Sequence, residues 1–538
     1  MTTTSSTPAA SRRTVLSAAA AAGGAALLPA GFITLAASPA HADDLLLSTD
    51  FSSGTTEGWF GRGDATVAVT SEEPLLSPCL GIDGRTATWN GAAIDITPHI
   101  EVGVRYQLKV YLRLPAGATA ADLRTTVQRD VGGVSNYEGV KWNTAVTDAA
   151  WTEFSGTYSI SQAADQLQFY VESDSSLTPI LLDAFTLTRI AEPEIQDLPP
   201  LKDFLADDFT FGCAVEPPEV VGKPAELLAK HFAQVTTGNQ MKPEAIQPTE
   251  GVFDFSRADQ IVDFAEANGM KIWGHTLLWH NQTPAWWFLD EDGEPLRRTR
   301  AHQTLLLRRL ETHVKAIAAH YGDRVWAWDV VNEVLDPEES DGLRHSRWYE
   351  VFGGPKYIEK AFKIARKAFP RKVKLFINDY NTEFPDKREA MFNLVQHLKC
   401  EGVPVDGIGH QAHVDYRRDP ALLGESIDMF RELRVLQAVT ELDVSVSNEM
   451  TESLPATPPE RLIAQGWYYK ELFEVLRERA DDLESVTMWG LYDAVSWLRS
   501  WPVSRPHEAP LFFDDRLQAK AAYWGVVDPT KLEPMPEA

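Results

Sequence analysis

Two segments carry glutamates where side chains could do chemistry. Trp328-Asp329-Val330-Val331-Asn332-Glu333 and Val439-Thr440-Glu441-Leu442-Asp443 each place a glutamate at the end of an apolar, strand-like run. Glu333 and Glu441 lie about 108 residues apart, room for three β/α units between them. If both runs are staves of one β/α barrel, the two carboxyls come to the same rim. Two carboxyls facing each other across a cleft are the minimal equipment for breaking a glycosidic bond.

The surrounding chain supplies the elements that must hold them. From Asp203 onward apolar strands alternate with amphipathic helices. The strand candidates are 209–215, 234–239, 271–279, 325–333, 374–380, 407–414, 435–443 and 486–493. A clear helix covers 305–320, with Leu306, Leu310, Val314 and Ile317 on one face. Eight such units predict an α/β fold, a (β/α)8 TIM barrel over 203–538, whose active site lies at the strand C-termini. Those ends are rich in polar and aromatic residues: Asn239 and Lys242, His275 and Trp279, Asn332 and Glu333, Gln411 and His413, Glu441 and Asp443, Trp489 and Asp493. Indole faces stack on sugar C–H faces and polar groups bond hydroxyls, the mixture a neutral carbohydrate needs. No HExxH or comparable cluster accompanies them, so the sequence gives metal catalysis no support.

Seven segments in order carry a resemblance: GNQMKPE (238–244), GHTLLWHNQTPAW (274–286), WDVVNE (328–333), NDYN (378–381), GHQAH (409–413), VTELD (439–443) and MWGLYDAVSW (488–497). On these the chain from 204 to about 530 resembles glycoside hydrolase family 10, the retaining endo-1,4-β-xylanases. The resemblance implies that Glu333 is the general acid/base and Glu441 the nucleophile. In a retaining enzyme the carboxyls stand about 5–5.5 Å apart, so charge on one opposes ionisation of the other. It also implies that His413 bonds Glu441 and is oriented by Asp443, and that Asn332 bonds the sugar 2-hydroxyl. Asn239, Lys242, His275, Trp279, Gln282, Gln411, Trp489 and Trp497 would line the glycone-side sugar sites, with no cofactor for catalysis. Two departures stand out. Gly238 replaces the glutamate that family members carry before the Asn, and that glutamate normally bonds a glycone hydroxyl. Its loss costs about 1.5–3 kcal/mol if nothing replaces it. Ala521 stands where a proline is usual. Trp286 and Trp287 suit rim packing or aglycone stacking equally well, and His231 and His320 are expected on helix surfaces.

Residues 43–190 read as all-β. Short alternating runs are separated by Gly, Asp, Asn and Ser clusters, which predicts a β-sandwich. EGWFGRG (57–63), RTATWNGA (85–92), WTEFSGTY (151–158) and LQFYVES (167–173) resemble carbohydrate-binding module family 22. The resemblance implies a sugar groove at Arg62, Trp89, Tyr137, Tyr170 and Glu172. It also implies a structural calcium at Asp50 and Asp183. Residues 191–202, AEPEIQDLPPLK, read as a short, stiff linker.

The first 42 residues differ. Ser11-Arg12-Arg13 precedes an Ala/Gly/Leu-rich stretch, and Ala40-His41-Ala42 supplies a small-residue cleavage site. Residues 1–42 therefore read as a twin-arginine export signal and the chain as a secreted, extracellular protein. Removing them takes away Arg12 and Arg13 and no acid, so the net charge of −27 becomes −29. Nucleic acid and anionic lipid both need basic surfaces, so neither is an expected partner. A neutral plant cell-wall polysaccharide such as xylan is, with no stable membrane association and a monomeric chain. Cys79, Cys213 and Cys400 fit no zinc motif, and three buried, inert thiols are expected. Two other readings stay open. One is a β-glycanase acting on mixed-linkage glucan or β-glucosides. The other is a barrel that binds carbohydrate without cutting it.

Overall fold

In a computed structural model of the chain, residues 43–75, 78–192 and 194–535 are described. The expected export signal, residues 1–42, lies outside them.

The first part folds into two antiparallel sheets of six and five strands. Alternation along Tyr106–Arg113 buries every second side chain, starting with Tyr106. The inner faces enclose a core in which Trp59, Phe169 and Phe185 meet edge to face or tilted, with centroids 5.0–6.2 Å apart. The edge strand Val134–Val146 breaks the alternation. Thr126 faces Gly139 but the adjacent Thr125 faces Lys141, so one extra residue, Val140, is bulged out. This shift puts Tyr137 and Trp142 on one face of the strand, and Glu138 and Lys141 on the other.

The second part is a closed barrel of eight parallel strands. They are Thr210–Val215, Gln234–Thr237, Lys271–Gly274, Ala327–Asn332, Lys374–Asp379, Gly407–His410, Leu436–Ser445 and Leu483–Met488. The first pairs with the eighth, Thr210 opposite Ser485, which closes the ring. A short extra strand, His413–Asp415, lies beside the seventh. The third strand is shorter than the sequence suggests. Beyond Gly274 the chain follows the fourth strand only through separate bonds, from Leu277 N–H to Asp329 O (3.0 Å) and from Asn332 N–H to Leu278 O (3.0 Å). Leu277 and Leu278 are buried beneath the rim, so the apolar run continues after the ladder has ended. The eighth strand starts three residues earlier than expected and stops at Met488.

The helix Arg300–Tyr321 buries the expected Leu306, Leu310, Val314 and Ile317, and Thr299 caps it by accepting the His302 N–H. Two expectations need correction. His231 is not on the surface: it is fully buried at the end of Gly222–His231, between Phe513 and Tyr523. Burial pushes its pKa down to about 3, so it packs as a neutral ring. His320 does lie at a half-exposed position, stacked on Phe255 at 4.0 Å and paired with Asp259. Cys79 and Cys213 are buried and free, but Cys400, at the end of its helix, is exposed.

The segment 191–202 is pinned along its length. Gln196 Oε1 accepts the Ala519 N–H (2.8 Å), the Pro199 carbonyl accepts the Tyr523 hydroxyl (2.7 Å), and Leu201 opens a helix with its side chain buried. Arg105 of the sandwich is buried, paired with Glu192, bonded to the Asp515 carbonyl (2.8 Å) and 4.7 Å from the Tyr492 ring centroid. Lys141 reaches Ser504 Oγ (3.1 Å), and Arg257 reaches Glu138 (2.7 Å). The sandwich is thus fastened to the barrel by its edge strand as well as by the segment between them.

Candidate active site

The barrel rim brings the two glutamates into one hydrogen-bonded chain. Asn378, at the end of the fifth strand, donates to Glu441 Oε1 (2.7 Å) and to Asn332 Oδ1 (3.1 Å). Gln411 donates to the same Asn332 Oδ1 (3.2 Å) and to Glu333 Oε1 (3.3 Å). Two donors on Oδ1 fix the Asn332 amide with its N–H groups free for a ligand apart from a long contact to Glu333 (3.5 Å). Glu333 sits at φ 56°, in the left-handed region, so the chain turns sharply as it leaves the fourth strand. A non-glycine residue held there is of the kind that clusters at functional sites.

The two carboxyls have different surroundings. Glu441 is buried, while Glu333 is half-buried. Burial alone would raise the Glu441 pKa. The hydrogen bond from His413 and the charges of His275, His413 and Lys242 outweigh it and hold the carboxyl below its ordinary value. His413 approaches Glu441 through Nε2 and Asp443 through Nδ1, and Asp443 in turn accepts the Trp497 indole N–H (2.8 Å). His275 Nδ1 is 2.8 Å from the buried Asp329, which fixes the ring orientation, and its ring meets that of Trp489 in a T-shaped arrangement with centroids 5.3 Å apart.

The polar residues of the second strand end form a second cluster. Lys242 Nζ donates to Asn239 Oδ1 and Gln282 Oε1, both at 2.9 Å, and lies 4.8 Å from the Trp279 ring centroid. Burial lowers its pKa, opposed by Glu441, Glu216 and Glu333. Asn239, Lys242, His275, Trp279, Gln282, Asn332, Glu333, Gln411, His413, Glu441, Asp443, Trp489 and Trp497 all lie on the C-terminal stretches of barrel strands or in the segments that follow them. Trp287 does not join them: it is fully buried against His313 and Trp348. Trp286 stays at the margin, bonded to the Pro248 carbonyl (3.1 Å). Asp493 is tied to Lys520 (2.8 Å) and bonds the Leu511 N–H. Asn378, His280 (3.9 Å from Glu333 Oε2) and Glu216 were missed by sequence reasoning. NDYN (378–381) and GHTLLWHNQTPAW (274–286) contain the first two, but the lone Glu216 at a loop start carries no signal.

The sandwich holds a groove of about 520 Å³ lined by Arg62, Trp89, Arg124, Thr126, Tyr137, Gly139, Trp142, Tyr170 and Glu172. The Arg62 guanidinium sits 4.0 Å from the Tyr170 ring centroid and 5.6 Å from those of Trp89 and Tyr137. Glu172 accepts from Arg124 (2.8 Å) and Thr126 (3.0 Å). Trp89 is 50% exposed and Tyr137 60%, so neither is a core residue, while Tyr170 is buried with one face toward Arg62. Trp142, 54% exposed, is an aromatic of this groove that the sequence pattern hid. A Cβ on Gly139 would lie 2.5 Å from its ring, so glycine lets the indole lie flat on the strand.

Asp183 Oδ1 accepts the Ala184 N–H (2.7 Å), its Oδ2 accepts the Leu75 N–H (3.2 Å), and Asp50 Oδ1 accepts the Ser52 N–H (3.0 Å). Calcium takes 6–8 oxygens. Among the described residues there is no group of three or more His, Cys, Asp or Glu that could hold a metal, so the calcium expectation gains no support.

Comparison with known proteins agrees with this geometry. The family profile described as Glycosyl hydrolase family 10 matches residues 200–529, and one described as Carbohydrate binding domain matches residues 43–177. The chain is 38% identical over 523 residues to "Exoglucanase XynX" of Acetivibrio thermocellus, covering 92% of this chain and 46% of that protein. It is also 38% identical over 517 residues to "Endo-1,4-beta-xylanase A" of Thermoanaerobacterium saccharolyticum, covering 93% and 43%. The chain therefore spans less than half the length of these two relatives. The crystal structure of xylanase B from Clostridium stercorarium F9 superposes with a TM-score of 0.60 at 42% identity, covering 62% of this chain and all of that one.

Proposed function

The chain belongs to glycosyl hydrolase family 10, and from that premise we propose that it is a secreted, retaining endo-1,4-β-xylanase. The observation that carries the reading is the unequal setting of two carboxyls joined through Asn378, Asn332 and Gln411. Glu441, held ionised by His413, attacks the anomeric carbon of the glycone sugar. Glu333, open to the cleft, gives its proton to the departing glycosidic oxygen, and a covalent glycosyl-enzyme forms. Glu333 then takes a proton from water, which displaces Glu441 with net retention. Asn332 presents its amide N–H groups to the sugar 2-hydroxyl, and Trp279, Trp489 and Trp497 supply stacking faces around it. The chemistry is acid/base and nucleophilic and uses no cofactor.

The sandwich, close in motif to carbohydrate-binding module family 22, holds the same polymer and raises its local concentration at the cleft. The strongly acidic chain suits a neutral polysaccharide partner, and residues 1–42 suit export through the twin-arginine route. Release of reducing ends from xylan, measured beside mixed-linkage glucan and cellulose, tests the assignment. Retention is read from the anomer first formed, by NMR. A second reading, a β-glucan or β-glucoside hydrolase, is favoured by Gly238 and by the name of the Acetivibrio relative. Faster cleavage of glucan than of xylan would select it. No release from any of the three would leave a barrel that only binds.

A further inference from the structure

Gly238 has no conformational reason to be glycine. It does not lie in the left-handed region, so any residue could adopt its backbone. Its reason is space: a Cβ built there would stand 2.6 Å from Oε1 of Glu216, far inside van der Waals contact. The missing side chain and the carboxylate of Glu216 therefore share one volume.

Glu216 follows the first barrel strand, Thr210–Val215, and so belongs to the strand C-terminal rim. It is half-buried, and its own N–H is held by the Glu219 carboxylate (2.7 Å). Its Oε1 accepts from Asn239 Nδ2 (2.7 Å) and its Oε2 from Gln240 Nε2 (2.5 Å). Asn239 Oδ1 in turn accepts from Lys242 Nζ and Gln282 Nε2. The charges of Glu441, Glu216 and Glu333 all act on Lys242. Glu216 is thus joined through Asn239 to Lys242, whose pKa responds to Glu441 and Glu333, so it belongs to the same rim, two side chains removed from the reacting carboxyls. A carboxylate has about four acceptor positions, so the two side-chain donors leave capacity for a hydroxyl. The groups around it are chiefly N–H donors, so it is the acceptor of this corner.

We propose that Glu216 is a substrate-binding carboxylate, accepting a hydroxyl of the sugar one unit beyond the scissile glycone residue, and that Gly238 is there to admit it. The inference rests on the hydrolase reading above. It names a specificity-determining residue on a different strand from the position where the sequence lacks an acid.

The test compares kcat/KM on an aryl β-xylobioside with that on an aryl β-xyloside, for the full chain and for Glu216→Gln and Gly238→Ala. The first variant removes the charge, and the second pushes a methyl group against Oε1. The xylobioside-to-xyloside ratio is expected to fall about 10- to 100-fold in both, the loss of one charged hydrogen bond to the second sugar. Thermal melting at the unsubstituted temperature shows the fold intact. An unchanged ratio in both folded variants overturns the proposal and leaves the hydrolase reading standing. Failure of the unsubstituted chain to cleave either glycoside overturns both.

Discussion

The imidazole of His413 stands between two carboxylates, with Nε2 3.2 Å from Glu441 Oε2 and Nδ1 3.0 Å from Asp443 Oδ2. Burial pulls its pKa down, but the two carboxylates override this and raise it to about 10. The ring is therefore a cation over the neutral range, and it is one reason that Glu441 stays ionised.

Replacing that cation has two readouts. His413→Gln keeps a donor and loses the charge, so the Glu441 carboxyl rises and the acidic limb of kcat/KM moves to higher pH. The stability effect has the opposite pH sense. A raised folded pKa contributes stability that is full below the unfolded value of 6.5 and is lost as pH rises through about 10. The melting-temperature gap between the two proteins should narrow over that interval. An acidic limb that stays in place refutes the role of the charge.

Glu333→Gln and Glu441→Gln should separate the two carboxyls. Without its acid, Glu333→Gln loses about 10²- to 10⁴-fold on xylan. It loses much less in forming the glycosyl-enzyme from an aryl glycoside whose leaving group needs no proton. Glu441→Gln loses turnover on both. Stopped-flow release of the aryl group measures the difference, and full xylan activity in Glu441→Gln would end the assignment.

The sandwich groove predicts a binding defect without a catalytic one. Trp142→Ala should weaken affinity for a xylo-oligosaccharide about fivefold or more, as loss of an aromatic anchor does. Turnover of a small aryl glycoside, which needs only the barrel, serves as the control. Calorimetric titration with equal affinity for both proteins would exclude Trp142 from the groove.

The clamp between the edge strand and the barrel is electrostatic. Burial raises the Glu138 pKa, but Arg129 and Arg257 override it and hold the carboxyl below its ordinary value. A lowered folded pKa gives stability that is present above the unfolded value and lost as pH falls through the folded one. Arg257→Met should therefore melt lower than the unsubstituted chain at neutral pH, by a loss of about 1–3 kcal/mol. The gap should close in acid. A gap that does not change with pH would place the cost elsewhere.

Much of this molecule is legible along the chain, because barrel strands are buried on both faces and read as apolar runs. The glutamates, Asn332, His275 and His413 sit where those runs stop, so their common rim follows from the fold class alone. What the chain order hides is phase and packing. An extra residue at Val140 turns Trp142 to the groove face with Tyr137, and no alternation rule locates a bulge. His231 has a helix-surface context in sequence, yet the C-terminal Phe513 and Tyr523 cover it. The segment 191–202 has linker composition, yet Ala519 and Tyr523, more than 300 residues away, fasten it. Gly238 reads as a lost acid until Glu216 is seen in the space it leaves. Local sequence determined which polar residues accompany each apolar run, not where each strand's ladder ends. Only the closed barrel, which brings the first and second strands side by side, decided which carboxylate stands in that corner.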